Sequence, residues 1–112
     1  MHGHTILLPL PNGLYRSISR ALLGEVFAQV VAVAAAWTDA HDFTLRVYLD
    51  RAATDEDAAG LDILLTEISA DFPLGYFRSS RAEIVTTTAT VQHLDALSGF
   101  VCARSNKTRF TH

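Results

Sequence analysis

Between Phe43 and Phe72 the spacing of apolar residues changes from the period of a strand to the period of a helix. From residue 43 to residue 49, alternate positions share one apolar face, as in a strand with one buried side. After a short break, apolar residues recur at helical spacing, and they are Leu61, Leu64, Leu65, Ile68 and Phe72. A strand and an amphipathic helix in direct succession predict a domain that contains both a sheet and helices.

The helix of this pair has well-marked ends. Thr54 suits the N-cap position, and Asp57, three residues later, can complete a capping box. Three consecutive acids occupy the first turn, where the helix dipole stabilises negative charge. Because Pro73 and Gly75 interrupt helical structure, we expect the helix to run from about residue 55 to residue 71.

The segment between Leu14 and Trp37 permits two interpretations. A helical pattern starts at Leu14, and we expect this helix to end near Phe27. The small and β-branched residues at 28–36 fit a buried strand or a buried helix. We place a strand at about 30–37, because β-branched side chains lose rotamer freedom in a helix and because a turn-rich break before residue 43 is typical of a hairpin.

We therefore predict an α+β fold with an antiparallel sheet of about four strands and two helices packed on one face. The element order is α-β-β-α-β-β. The last two strands are expected at about 83–88 and 100–103, with a loop or short helical turn between them at 91–97. A single domain is expected to cover residues 1–112, with 1–13 as a short N-terminal extension and 105–112 as a polar tail. Within the extension, Thr5 to Leu8 could form a short strand.

The composition excludes several classes of protein. Hydrophobic residues make up 49% of the chain and charged residues 19%, which is incompatible with a disordered chain, and the net charge of −3 argues against a general nucleic-acid binder. An apolar run at 21–36 imitates a secretion signal, but Glu25 and Gln29 interrupt it, and no stretch is long enough to cross a bilayer. Because Cys102 is the only cysteine and has no partner for a disulfide, we expect a cytoplasmic protein.

Charge is distributed unevenly along the chain. Residues 39–71 carry nine acids and two bases, a net charge of −7, whereas the remainder carries three acids and seven bases, a net charge of +4. An acidic surface can attract a basic partner and accelerate association. A solvated helix with a dipole-stabilised first turn is the alternative explanation. The candidate partner-binding residues are Asp55, Glu56, Asp62 and Glu67.

No motif points to catalysis. The sequence lacks a nucleophile elbow, a phosphate-binding loop, a dinucleotide fingerprint and zinc-ligand spacing, and we expect no cofactor and no metal. His41 and His93 could form acid–base pairs with nearby aspartates only if the fold brings such groups together. Cys102 lies in a predicted strand, where we expect a buried, inert thiol. The aromatic and basic stretch at 76–81 could bind a single strand of nucleic acid, but the overall acidity argues against this. We expect its bases either to help the sheet face the acidic helix or to form part of a protein interface.

Three segments resemble a known family: Phe-Thr-Leu-Arg-Val-Tyr-Leu-Asp at 43–50, Thr-Asp-Glu-Asp at 54–57, and Leu-Thr-Glu-Ile-Ser-Ala-Asp-Phe-Pro at 65–73. They are similar to the strand, the acidic helix start and the helix end of small bacterial immunity-type proteins from polymorphic-toxin and contact-dependent growth inhibition loci. The similarity covers about residues 20–104, and the chain departs from the pattern at Leu49 and Ala59. The resemblance implies a hairpin followed by a helix and two more strands.

The resemblance further implies an immunity protein, not an enzyme, that neutralises a cognate toxin domain. With the acidic segment, it favours a protein partner such as a nuclease domain, occluded at its active site, and no nucleic-acid or membrane partner. Two alternatives stay open. One is a small α+β enzyme or ligand-binding domain, which a pocket around His41 or His93 would favour. The other is a homo-oligomeric adaptor that uses a strand edge or the stretch around Tyr76, and the sequence leaves the oligomeric state open.

Overall fold

A computed structural model of the chain describes residues 6–23 and 30–103. Its elements in chain order are β1 (Leu7–Leu8), α1 (Asn12–Leu23), β2 (Val30–Thr38), β3 (Asp42–Leu49), α2 (Asp55–Ala70), β4 (Ser79–Thr86) and β5 (Gly99–Ala103), with a 3₁₀ turn at Val91–His93. The predicted α+β class is confirmed, and the predicted order of elements is found after β1. The two-residue strand β1 and the start of α1 both lie inside the segment predicted to be an extension.

The sheet is mixed rather than wholly antiparallel. Strand β2 pairs antiparallel with β3 on one side, and with both β1 and β5 on the other side. Strand β4 runs parallel to β3 along its full length, from the Asp42–Ser79 pair to the Leu49–Thr86 pair. The expected antiparallel pairing fails here because α2 returns the chain to the starting end of β3, so that the next strand runs in the same direction.

The ambiguous segment 28–36 is a strand from Val30 onward, as the prediction at 30–37 proposed. Its alanines and valines suit this position because β2 lies at the centre of the sheet and is buried on both faces. Ala32, Ala34 and Ala35 are completely buried, which leaves room for close layers above and below. The predicted end of the first helix, near Phe27, lies outside the described residues.

Two apolar layers cover the two faces of the sheet. On one face, α1 and α2 pack against a large core that includes Leu14, Ile18, Phe43, Leu64 and Ile68. On the other face, the connection from β4 to β5 packs its own apolar side chains against a smaller core; those that contribute are Val91, Leu94 and Leu97, and the sheet contributes Val31, Ala32, Ala34 and Tyr48. Both helices therefore lie on one face, as predicted, and α2 presents its other side to solvent.

The N-terminus of α2 has the predicted capping box. The Asp57 N–H donates to Thr54 Oγ1 at 3.1 Å, and the Thr54 N–H donates to Asp57 Oδ2 at 2.9 Å. These two bonds satisfy main-chain donors that have no partner within the helix. Local sequence thus fixes where α2 starts. Neither helix that the structure describes, α1 or α2, is long and apolar enough to span a bilayer.

Candidate functional site

Seven of the nine acids of residues 39–71 fall into two groups, and the first group is paired with arginines of the same chain. Of the other two, Asp39 accepts a hydrogen bond from the Ile6 N–H at 3.2 Å, and Asp50 also has an interaction within the fold. Asp42 accepts hydrogen bonds from Arg78, which connects β3 to the segment before β4. Asp71, at the end of α2, accepts from Arg20 of α1 at 2.5 Å. Such ion pairs join neighbouring elements at the surface, where each contributes modestly to stability. These carboxylates are therefore occupied within the fold.

Asp57 is the most enclosed acid of this group. Arg51 binds it with two N–H groups, at 2.5 Å and 3.0 Å, and the side chain of Asp57 also serves the capping box with Thr54. Its side chain is 9% exposed. The hydrogen bonds from Arg51, followed by those from Thr54, hold the pKa of the Asp57 carboxyl far below its usual range. The negative charge of Asp57 thus supports the fold and is not available to a partner.

The second group consists of the four predicted partner-binding residues, which all lie on α2. Asp55, Glu56, Asp62 and Glu67 are exposed, and within residues 6–23 and 30–103 none of them has an ion pair or a side-chain hydrogen bond. The Thr66 hydroxyl donates to the main-chain carbonyl of Asp62 at 2.9 Å, and this bond does not involve the Asp62 carboxylate. The structure therefore brings the four predicted residues together on one helix with their charges unneutralised by described residues.

Helical geometry places these acids in two rows. At about 100° per residue, Asp55 and Asp62 fall on one line of the helix surface, and Glu56 and Glu67 fall on a second line. Between the rows lies Ile63, which is 51% exposed. A shallow depression of about 230 Å³ is lined by Asp62, Ile63, Thr66 and Glu67. We call this surface the acidic face, defined by Asp55, Glu56, Asp62, Ile63 and Glu67.

The two candidate histidines are not arranged for acid–base catalysis. His41 lies in the β2–β3 turn with a φ of 66°, its Nδ1 lies 2.9 Å from the Tyr76 carbonyl, and its ring contacts that of Trp37. His93 lies in the 3₁₀ turn, with Nδ1 3.0 Å from Thr90 Oγ1. The hydrogen-bond partner of each ring is a carbonyl or a hydroxyl instead of a carboxylate. Within residues 6–23 and 30–103, neither ring therefore has the carboxylate partner that the predicted acid–base pairs require.

The aromatic and basic stretch at 76–81 is largely used inside the fold, a role that the sequence did not make evident. Tyr76 stacks on Phe72 with ring centroids 4.7 Å apart, and Phe77 stacks on Phe43 at 5.4 Å. These rings close the end of the core beside the β2–β3 turn. A run of aromatics directly after a helix-ending Pro-Leu-Gly is the signal that could have indicated this role, because such a turn folds the chain back onto the sheet.

The prediction of a buried Cys102 thiol is wrong. Cys102 lies in β5 as expected, but it is exposed. Among the described residues β5 pairs only with β2, and it packs Phe100 and Val101 against the two cores. Desolvation by neighbouring atoms nevertheless raises the pKa of the thiol, which disfavours the nucleophilic thiolate. Within residues 6–23 and 30–103, no group of three His, Cys, Asp or Glu residues is placed to hold a metal ion.

The fold and the site together define a small α+β domain whose distinctive feature, in the part of the chain that the structure describes, is a helix face of exposed acids without ion pairs. A comparison with known protein families agrees with this class. The chain belongs to the MafI2 immunity protein family, whose sequence model matches residues 11–106. No match was found among curated proteins. Family membership indicates an immunity function with a cognate toxin as partner and points to an inhibitor, while the lack of enzymatic activity stays a prediction.

Proposed function

We propose that this immunity protein binds its toxin through the acidic face of α2 and occludes the active site of the toxin domain. The toxin that suits such a surface has a basic cleft, as nucleases do for their substrate. In this complex, the carboxylates of Asp55, Glu56, Asp62 and Glu67 occupy positions that substrate phosphates would otherwise take. Inhibition then results from steric exclusion of the substrate combined with charge matching.

The observation that supports this proposal is the separation of the acids into paired and unpaired groups. Arg51, Arg20 and Arg78 neutralise Asp57, Asp71 and Asp42, and no described basic residue pairs with the acids on the outer side of α2. Four negative charges on one helix surface produce a field that steers a basic partner toward it. Such steering raises association rates, and it weakens as salt screens the charges.

Ile63 adds an apolar contact at the centre of the acidic face. It is the one large apolar side chain of the described part of α2 that is more than half exposed. Interfaces concentrate binding energy in central residues that lose water, while the surrounding polar residues exclude solvent. We expect Ile63 to insert into the toxin surface while the four acids surround it.

We further propose that the protein acts in the cytoplasm, within a contact-dependent growth inhibition or related toxin locus. Its single cysteine suits a reducing compartment. Neutralising an incoming toxin before it reaches its target requires the inhibitor to be present where that target is. Fusing a fluorescent protein to the chain and imaging the cells would test this location.

The direct test of the acidic face is co-purification with the product of the adjacent upstream gene. We expect the wild-type chain to form a complex with this product and to protect cells that express it. The double reversal D62K/E67K should abolish protection and weaken binding by about a hundredfold or more, since it replaces two attractive contacts with two repulsive ones. If the double variant binds and protects like the wild type, the acidic face does not carry the interaction.

A matched pair of single variants separates local charge from net charge. Asp62→Asn and Gln92→Lys each change the net charge by one unit in the positive direction. Gln92 is exposed in the 3₁₀ turn, which covers the sheet face opposite to α2. Only Asp62→Asn should weaken binding, and the loss should shrink at high salt. Equal losses for both variants would indicate a general charge effect instead of a defined surface.

A further inference from the structure

The outer edge of β4 is open in the part of the chain that the structure describes. The strand has eight residues, pairs with β3 without a bulge, and contains no proline. No other strand within residues 6–23 and 30–103 pairs with it. Edge strands usually carry a device that prevents further pairing, such as a bulge, a proline, charged side chains or a covering loop. The charged residues of β4 are Arg81 and Glu83, and Glu83 pairs with Arg46 of β3. A long, regular edge with no bulge and no proline can accept an additional strand.

Specific main-chain groups point outward from this edge. Directly after β4, the Thr87 N–H donates to the Leu49 carbonyl of β3 at 2.8 Å. Bonds of a parallel ladder involve every second residue of a strand. Counting back in steps of two, the N–H groups of residues 81, 83 and 85 face β3. The N–H groups of Ser80, Ala82 and Ile84 therefore face outward, where an added strand would bond.

A groove runs between this edge and α2. It has a volume of about 190 Å³ and is lined by Ala58, Leu61 and Asp62 of α2 and by Ala82, Glu83 and Ile84 of β4. Its walls are mainly small and apolar, which suits alternate side chains of an extended peptide. Asp62 lines this groove and also the depression on the acidic face. The strand edge and the acidic face are therefore continuous through Asp62.

A second copy of the chain is a poor occupant for this edge. Pairing of two β4 edges about a two-fold axis would bring the two α2 helices side by side, because α2 lines the groove above each edge. The row formed by Asp55 and Asp62 would then face its symmetry-related copy, and like charges would repel. An occupant with positive charge avoids this conflict.

We infer that the β4 edge accepts an extended, basic segment of the cognate toxin domain, which adds a strand to the sheet and places a basic side chain against Asp62. This inference rests on the proposed function and identifies how the toxin is held. Main-chain hydrogen bonds to β4 would provide affinity, and the groove and Asp62 would select the side chains of the segment. The acidic face would then contact the toxin surface beside that segment.

The test compares Ser80→Pro with Ser80→Ala. Ser80 is exposed, and its N–H faces outward, so a proline there removes a donor for the toxin without removing a bond to β3. Ser80→Ala removes only the hydroxyl. Titration against the product of the adjacent upstream gene should show Ser80→Pro binding about tenfold or more weaker than Ser80→Ala, the loss expected for one main-chain hydrogen bond together with disturbed neighbouring ones. Circular dichroism and thermal melting establish that both variants are folded.

Amide hydrogen exchange on the wild-type chain gives a second result that does not depend on any substitution. In the free protein, the amides of residues 81, 83 and 85 should be protected and those of Ser80, Ala82 and Ile84 should exchange quickly. The complex should protect the amides of Ser80, Ala82 and Ile84.

If the complex forms but Ser80→Pro binds like Ser80→Ala and the amides of Ser80, Ala82 and Ile84 stay unprotected, the edge inference is wrong while the proposed function stands. If the wild-type chain forms no complex, both fail, and a free dimer with protected β4 amides would assign the edge to a second copy.

Discussion

The inner and outer faces of α2 belong to one helix, yet the rest of the described chain packs against only one of them. On the inner face, Leu61, Leu64 and Ile68 are buried against the sheet, and the one acid, Asp57, is held by Arg51. On the outer face, the acids have no described partner, and Ile63 is half exposed. The inner face therefore contributes to stability, and we propose that the outer face contributes to recognition. Substitutions on the two faces should affect different measurements.

The largest expected effect comes from adjacent positions on opposite faces. Leu64 is 0% exposed, and Leu64→Ala should lower the free energy of unfolding by about 2–5 kcal/mol, because it leaves a cavity in the core. Ile63→Ala should change that free energy by about 0.5 kcal/mol or less, since the side chain is already solvated. Urea unfolding followed by circular dichroism measures both. A similar loss for the two variants would mean that Ile63 is packed within the fold.

The next comparison uses two acids in the first turn of α2. Asp57→Ala removes both the capping-box acceptor and the charge that pairs with Arg51. Asp55→Ala removes a charge with no described partner, so the helix dipole is the main interaction lost. We expect a clear fall in melting temperature for Asp57→Ala and a much smaller fall for Asp55→Ala. Toxin binding should show the reverse order once each variant is measured well below its melting temperature.

The two faces also differ in how much of their structure the sequence could predict. The start of α2 and its buried stripe follow from Thr54, Asp57 and the apolar spacing, which are local signals, and the predicted helix at 55–71 closely matches Asp55–Ala70. The pairing of Asp42 with Arg78 joins residues that are 36 positions apart, and local patterns do not reveal such contacts. The same limit applies to the parallel direction of β4.

Burial was predictable where an element lies at the centre of the sheet and not where it lies at the edge. The alternation in β3 correctly indicated one face directed at the core, because β3 lies between β2 and β4 and its alternate side chains from Phe43 onward pack in the core with α1 and α2. Cys102 also lies in a correctly predicted strand, but the sequence does not show that β5 is an edge strand in the described sheet. The four acids of the acidic face were chosen for their charge alone, and their role in binding stays a prediction.

A smaller effect is expected at the cap of α2. Thr54→Ala removes the side-chain oxygen that accepts from the Asp57 N–H and should lower the free energy of unfolding by about 1 kcal/mol. Thr54→Ser keeps this oxygen and should restore most of the stability. Because the cap supports the inner face and not the acidic face, toxin affinity should be unchanged in both variants at temperatures where they are folded. A loss of affinity in a folded Thr54→Ala protein would show that the two faces are coupled through the helix start.

The smallest effect within the neutral range is the dependence of stability on pH, and it again separates paired from unpaired acids. Hydrogen bonds from Arg51 to Asp57 and from Arg78 to Asp42 lower the pKa of each carboxyl in the folded state. The unfolded chain, with an aspartate pKa of about 3.9, therefore binds more protons than the folded chain in acid. This contribution to stability is fully present above the unfolded pKa and is lost as the pH falls through the lower folded pKa values.

We expect the melting temperature to change little between pH 7 and pH 5 and to fall below about pH 4. The decline should be shallower in Asp57→Ala, which lacks one of the two carboxyls with a lowered pKa, and a decline as steep as that of the wild type would contradict this role of Asp57.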